Sequence, residues 1–190
     1  MSEKGTLMVF SGPAGTGKDT VLECFAAKKM KGVWKSVSYT TRQPRENEKD
    51  GVDYHFITSE EFERLIKDGA MLEYAKYGLN YYGTPKAPVD EHLKNGDTVI
   101  LKIEVQGARQ IKALYPDAVG VFVLPPSLEV LEKRLRGRGS ETDEDVIRRL
   151  SIAKKELEYS VNYEYRIVND DLDDAVNDLY SIVRSLQLKQ

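Results

Sequence analysis

Cysteine is nearly absent from this chain of 190 residues: Cys24 stands alone, so no intramolecular disulfide can form. It falls between Leu22 and Phe25 in a predicted helix, where a small buried hydrophobe is the expected role. No apolar run approaches the length that crosses a membrane, and the opening MSEKGTLMVF lacks the apolar core of a secretion signal, so the expected address is the cytosol. An excess of basic charge is also missing. The net charge is −3, which argues against nucleic-acid binding through a large basic surface, though a few local cations could still hold a small polyanion. Internal repeats and low-complexity tracts are lacking, and no membrane or nucleic-acid partner is expected.

What is present describes an ordinary globular chain, with 41% hydrophobic and 31% charged residues. Its length suits one well-buried core, read as a single domain over residues 1–190. Strand-like apolar runs alternate with amphipathic segments, the pattern of helices packed around a mostly parallel sheet. Thr6–Ser11 reads as a buried first strand, Val33–Tyr39 as a second, and Thr98–Glu104 and Val119–Leu124 as central strands with near-continuous apolar character. Helices are predicted from Lys18 to about Met30, and at Ser59–Lys67, Val89–Lys94, Leu128–Arg136, Thr142–Tyr159 and Leu172–Leu186. Ser59 and Ser127 are expected N-caps, and Thr142 with Asp145 approximates a capping box. Two stretches interrupt the alternation. Residues 38–57 are polar and Arg-rich, and residues 70–85 carry Tyr74, Tyr77, Tyr81 and Tyr82 with strand character. Together they read as a small insertion, while the basic, glycine-punctuated Arg134–Thr142 reads as a mobile cap.

The strongest local signal is Gly12-Pro13-Ala14-Gly15-Thr16-Gly17-Lys18, set between a predicted strand and a predicted helix. In that context glycines let successive backbone N–H groups turn inward onto phosphate oxygens, the helix N-terminus adds partial positive charge, and Lys18 reaches the β- and γ-phosphates. One position departs from the pattern. The residue after the lysine is normally Ser or Thr, whose hydroxyl ligates Mg²⁺, and here it is Asp19. Thr20 follows, but one residue turns about 100° around a helix, so its hydroxyl cannot simply substitute. Asp19 could bind the metal directly or through water, or it could repel the triphosphate.

A second set of motifs lies downstream: Ser38-Tyr-Thr-Thr-Arg42-Gln-Pro-Arg45, then Asp50-Gly-Val-Asp-Tyr54-His-Phe, Glu73, Asn80-Tyr-Tyr82-Gly-Thr84 and Ile103-Glu104-Val-Gln-Gly107. Arg134 with Arg138-Gly139, Arg149 and Ile167-Val-Asn169-Asp170 complete it. In this order, over about residues 5–186, the chain resembles the guanylate kinases. The resemblance implies a three-layer α/β P-loop kinase fold: a core of about residues 1–37, 86–133 and 160–190, a GMP-binding region of about 38–85, and a lid of about 134–159. It implies transfer of the γ-phosphoryl of ATP to GMP, and to dGMP, in purine nucleotide metabolism, with Mg²⁺ bound alongside ATP and touched, if at all, by Asp19 or Thr20. It places Arg42, Arg45, Tyr54 and Tyr82 at the GMP phosphate, Glu73 at the guanine with Ser38, Thr84 and Glu104 around it, and Asn169 near the adenine. Members of the family usually have two acids at the end of the strand predicted at Thr98–Glu104, spaced one apart; this chain has Lys102 and Glu104, and the loss of the first acid could alter how an arginine or the metal is held or could be tolerated.

The residues support that chemistry directly. Arg42 and Arg45 flank Pro44 and can converge on one phosphate through paired N–H···O bonds. A carboxylate accepts both adjacent donors of guanine, N1–H and the N2 amine, but would face a bare lone pair on adenine. Phosphoryl transfer needs cations and positioning, which makes Lys18, Arg134, Arg138 and Arg149 the catalytic candidates. The attacking phosphate oxygen is already ionised, so no general base is required, and His55 and His92 read as solvated or packed. Two rival readings stay open: a silent interaction module with this fold, and a kinase for another nucleoside monophosphate.

Overall fold

Five apolar runs supply the central sheet, and their burial sets its layers. The computed structural model describes residues 5–137 and 142–189. In chain order the elements are β1 (Leu7–Ser11), α1 (Lys18–Ala27), β2 (Val33–Lys35), β3 (Tyr39–Thr40), β4 (His55–Phe56), α2 (Ser59–Lys67), β5 (Met71–Tyr77) and β6 (Asn80–Pro85). They continue as α3 (Lys86–Lys94), β7 (Thr98–Lys102), α4 (Val105–Leu114), β8 (Val119–Leu124), α5 (Leu128–Arg136), α6 (Asp143–Tyr159), β9 (Tyr165–Val168) and α7 (Leu172–Gln187).

The main sheet has the order β2-β7-β1-β8-β9, and every pairing in it is parallel. Alternation along β1 sends side chains to two cores. Leu7 and Val9 join Val89 and Leu93 of α3 and Ala108 and Ile111 of α4. Met8 and Phe10 join Val21, Leu22 and Phe25 of α1 and Val176, Leu179 and Val183 of α7. A sheet covered on both faces by helices is the three-layer α/β architecture that the alternation predicts. The strands on either side of β1 continue in opposite directions from it, and such a switch point puts a crevice at the carboxyl ends of the strands. A second sheet, β4-β3-β6-β5, is built from residues 39–85 and is mixed: β3 runs parallel to β4 and antiparallel to β6.

A third cluster holds Leu131 and Leu135 of α5 against Val146 and Ala153 of α6, with Ala14 packed on it. A side chain at Gly15 would press on both leucines, so α5 is the floor beneath the glycine-rich loop. Leu131 is fully buried. We expect Leu131→Ala to cost about 2–5 kcal/mol of stability in urea unfolding, the range for a leucine truncated in a core that cannot collapse.

Several local expectations need correction. Cys24 is exposed, because the buried face of α1 is Lys18, Val21, Leu22 and Phe25, and position 24 lies off that stripe. Thr58, not Ser59, caps α2: its extended backbone lets the hydroxyl accept from the Glu61 N–H, and Ser59 is already helical. The predicted strand Val33–Tyr39 splits, leaving Val33–Lys35 in the main sheet and Tyr39 in the second. Helix α4 and strand β9 were not separated out by periodicity. Ser127 and Thr142 do cap α5 and α6, each accepting from the N–H three residues on.

Candidate active site

The carboxyl ends of β1 and β7 face the second sheet across one cavity of about 1030 Å³. Ala14, Lys18 and Asp19 line it on one side; Ser38, Arg42, Arg45, Tyr54, Glu73 and Tyr82 line it on another. The amide nest and the arginine pair therefore share one space.

The glycine-rich loop is fixed by its own carbonyls. The Thr16 hydroxyl donates to the Pro13 carbonyl at 2.9 Å, and Asn169 Nδ2 donates to the Thr16 carbonyl at 2.7 Å. Gly17, the N-cap of α1, sits at φ 80, and any side chain there would collide with Asn169. Lys18 opens α1 with only 8% of its surface exposed. Arg134 reaches back from α5 to donate to the Asn169 carbonyl at 3.0 Å and to the Thr16 carbonyl at 3.5 Å. Asn169 and Arg134 thus clasp the loop from behind, and neither lines the cavity. Both therefore position the loop, a role beside the ligand contacts that the resemblance implies for them. Arg149 does line the cavity, from α6, while Arg138 lies outside the described residues. Thr20 is exposed and off the cavity wall, as the helical turn requires.

The arginine pocket is organised by a residue that the sequence did not single out. Glu48 Oε1 accepts from Arg42 Nη2 at 2.9 Å, and Glu48 Oε2 accepts from the Arg45 backbone N–H at 2.9 Å. One carboxylate therefore sets both ends of the loop around Pro44. Its hydrogen bond to Arg42 holds the Glu48 carboxyl below its usual range and raises the guanidinium further. The Arg42 guanidinium lies 5.6 Å from the centre of the Tyr54 ring and 5.9 Å from that of Phe56.

Glu73 lies at the other end of this pocket, 5% exposed, on the Gly107 backbone where any side chain at 107 would strike its carboxyl. Thr84 is fully buried, does not line the cavity, and donates its hydroxyl to Glu73 Oε1 at 2.6 Å. Thr84 thus orients the carboxyl. Burial pushes the Glu73 carboxyl up to about 7, against the lowering effect of the Thr84 bonds. Glu104 lines the cavity beside Glu156 of α6, which burial and the neighbouring Glu104 also raise to about 7, with Lys18 opposing. Glu156 and Arg148 reach the cavity from α6 and were missed, since only the packing of α6 brings them there.

The two departures from the family pattern turn out to be partners. Lys102 Nζ donates to Asp19 Oδ1 at 2.6 Å, although 83 positions separate them. Among the described residues no group of three His, Cys, Asp or Glu side chains is placed to hold a metal ion. Position 19 supplies a carboxylate already held by an ammonium, in place of the hydroxyl that the loop pattern calls for. The donor set therefore does not fit a metal held by the protein itself.

Comparison with known proteins gives the family and the fold. The sequence model of the guanylate kinase family matches residues 4–186. The chain is 49% identical to a guanylate kinase of Clostridium acetobutylicum, covering 96% of this chain and 87% of that protein. It is 47% identical to one of Synechocystis, covering 96% and 95%. A crystal structure of guanylate kinase from Anaplasma phagocytophilum superposes with a TM-score of 0.79 at 33% identity, covering 98% of this chain and 88% of that one. With a matching family model across nearly its whole length, this chain belongs to the guanylate kinase family.

Proposed function

We propose that this guanylate kinase transfers the γ-phosphoryl of ATP to GMP across the single cavity, with the donor at the glycine-rich loop and the acceptor at the second sheet. The observation that carries the reading is the shared space itself: Lys18 and the Arg42–Arg45 pair line one cavity, so two anions can meet within it. Residues 38–85 then form the acceptor unit, and α6 covers the cavity with Arg149.

In this reading the backbone N–H groups of Gly12–Gly17 and the Lys18 ammonium hold the β- and γ-phosphates. Arg42, set by Glu48, and Arg45 grip the acceptor phosphate, with the Tyr54 and Tyr82 hydroxyls beside them. Glu73 accepts from the two adjacent guanine donors, Thr84 fixes its orientation, and Ser38 and Glu104 lie along the base edge. An acceptor phosphate oxygen attacks the γ-phosphorus as the bond to the β–γ bridging oxygen breaks. Negative charge moves onto ADP, where Lys18 and Arg149 stabilise it. Mg²⁺ would enter with ATP and would supply charge for the transferred phosphoryl group. The cytosol, where a lone exposed thiol stays reduced, is the compartment this reading assigns.

A coupled assay of ADP release tests the reading. Turnover should require ATP and GMP together, and should fall by orders of magnitude when AMP or UMP replaces GMP. ADP release independent of GMP would sink it. Within the acceptor pocket, Arg42→Lys keeps the charge but loses the fork. We expect KM for GMP to rise about 10- to 100-fold, with a smaller change in kcat, in steady-state kinetics.

A further inference from the structure

Lys102 closes β7, in register with Phe10, so it stands one residue short of the end of β1 where the glycine-rich loop begins. Its ammonium touches both halves of the cavity: it donates to Asp19 in the first turn of α1, and it lies 5.6 Å from the centre of the Tyr54 ring in the acceptor unit. Lys102 and Asp19 both line the cavity, as do Lys18 and Arg42. Asp19 has half its side-chain surface exposed, whereas Lys102 is largely enclosed at 22% exposure, so the carboxylate anchors an ammonium on the wall that the two pockets share.

We propose that Asp19 and Lys102 act as one unit in which the Lys102 ammonium binds phosphate oxygens where donor and acceptor meet, supplying charge that position 19 would otherwise recruit through a protein-held metal. Asp19 is the positioning residue, and it neutralises the lysine when no nucleotide is bound. A consequence is that the metal adds less to nucleotide affinity in this chain than it would without the pair, because any metal at position 19 must share the carboxylate with the Lys102 ammonium. An ammonium next to that carboxylate also repels a dication, whereas it attracts the phosphates. The chemistry recognised is that of a nucleoside triphosphate facing a phosphate monoester.

The inference rests on the ATP-binding reading, and calorimetric titration with β,γ-imido-ATP tests both. Native protein is titrated with EDTA or with Mg²⁺ present, beside the double variants Asp19→Ser/Lys102→Met and Asp19→Ser/Lys102→Glu. Removing the pair as a unit avoids stranding a lone carboxylate beside the phosphates. We expect Asp19→Ser/Lys102→Met to bind the analogue about tenfold more weakly than native without metal, the loss of one charge-assisted contact. Asp19→Ser/Lys102→Glu, with a hydroxyl and an acid in place, should show a Mg²⁺ enhancement at least about tenfold larger than native. Metal-free affinity of the Met double variant equal to native would overturn the inference alone, making the pair mere mutual neutralisation. So would a Mg²⁺ enhancement in native as large as in the Glu double variant. No binding of the analogue by native protein under either condition would overturn the ATP reading as well.

Discussion

Lys18→Met is expected to lower kcat by about 10²- to 10³-fold while leaving GMP affinity within about twofold of native. The argument is one of charge placed where charge develops. The transition state of phosphoryl transfer is loose and spreads negative charge over the γ-phosphoryl oxygens and the leaving ADP. Lys18 is the one cavity-lining cation that extends from the glycine-rich loop itself, and at 8% exposure it acts in a medium where water screens little. Methionine keeps the length and apolar packing of the stem, so the substitution removes the ammonium with little change of shape. GMP contacts lie with Arg42, Arg45 and Glu73 at the other end of the cavity, which is why acceptor binding should survive. The coupled assay reads the first effect and calorimetry with GMP the second. Turnover within threefold of native would show that Lys18 is not at the transferred group.

The residues that the sequence exposed are those whose chemistry is local. Gly12–Lys18 could be read because a tight turn, a helix start and a lysine occupy consecutive positions, and each demands its own residue type. Arg42 and Arg45 could be read because three positions and a proline join them. What stayed hidden depends on contacts that span long stretches of chain. Asp19 and Lys102 each looked like an isolated irregularity, and only the parallel pairing of β1 with β7 brings them together. Glu156 and Arg148 belong to a face of α6 that has no meaning until α6 packs over the cavity. The bonds of Thr84 to Glu73 and of Asn169 to the loop are likewise tertiary, and motif position does not carry them. Helix α4 escaped because Gly107 interrupts its helical character, and that glycine answers to Glu73 lying on its backbone. In each case tertiary contact decided where spacing could not.

The carboxyl on Gly107 leads to the second large effect. Glu73→Gln is expected to lower kcat/KM for GMP by about 10²-fold or more, and to shrink the preference for GMP over AMP, because a site built on a hydrogen-bonding carboxylate loses most when one partner becomes a mismatched donor. The amide presents one acceptor and one NH₂, so one guanine donor would face another donor in a buried pocket. The same carboxyl gives a pH signature whose sign follows from its environment. Burial raises Glu73 to about 7, well above the ordinary carboxyl range, so the folded protein holds a proton there that the unfolded chain has lost. Its contribution to stability is therefore full below about 4.5 and is lost as pH rises through about 7. Guanine reverses the balance: its two donors favour the ionised form, so GMP binding expels the proton. Affinity for GMP should then rise between pH 5.5 and 7.5, with proton release on binding visible as a dependence of the calorimetric heat on the buffer's ionisation enthalpy. Glu156 titrates in the same range from the opposite wall, beside Glu104 and Lys18, and the variant separates the two contributions. In Glu73→Gln the rise with pH should flatten, leaving what Glu156 and the second ionisation of the GMP phosphate, at about 6, contribute. A pH profile unchanged by the substitution would move the guanine contact away from Glu73 altogether.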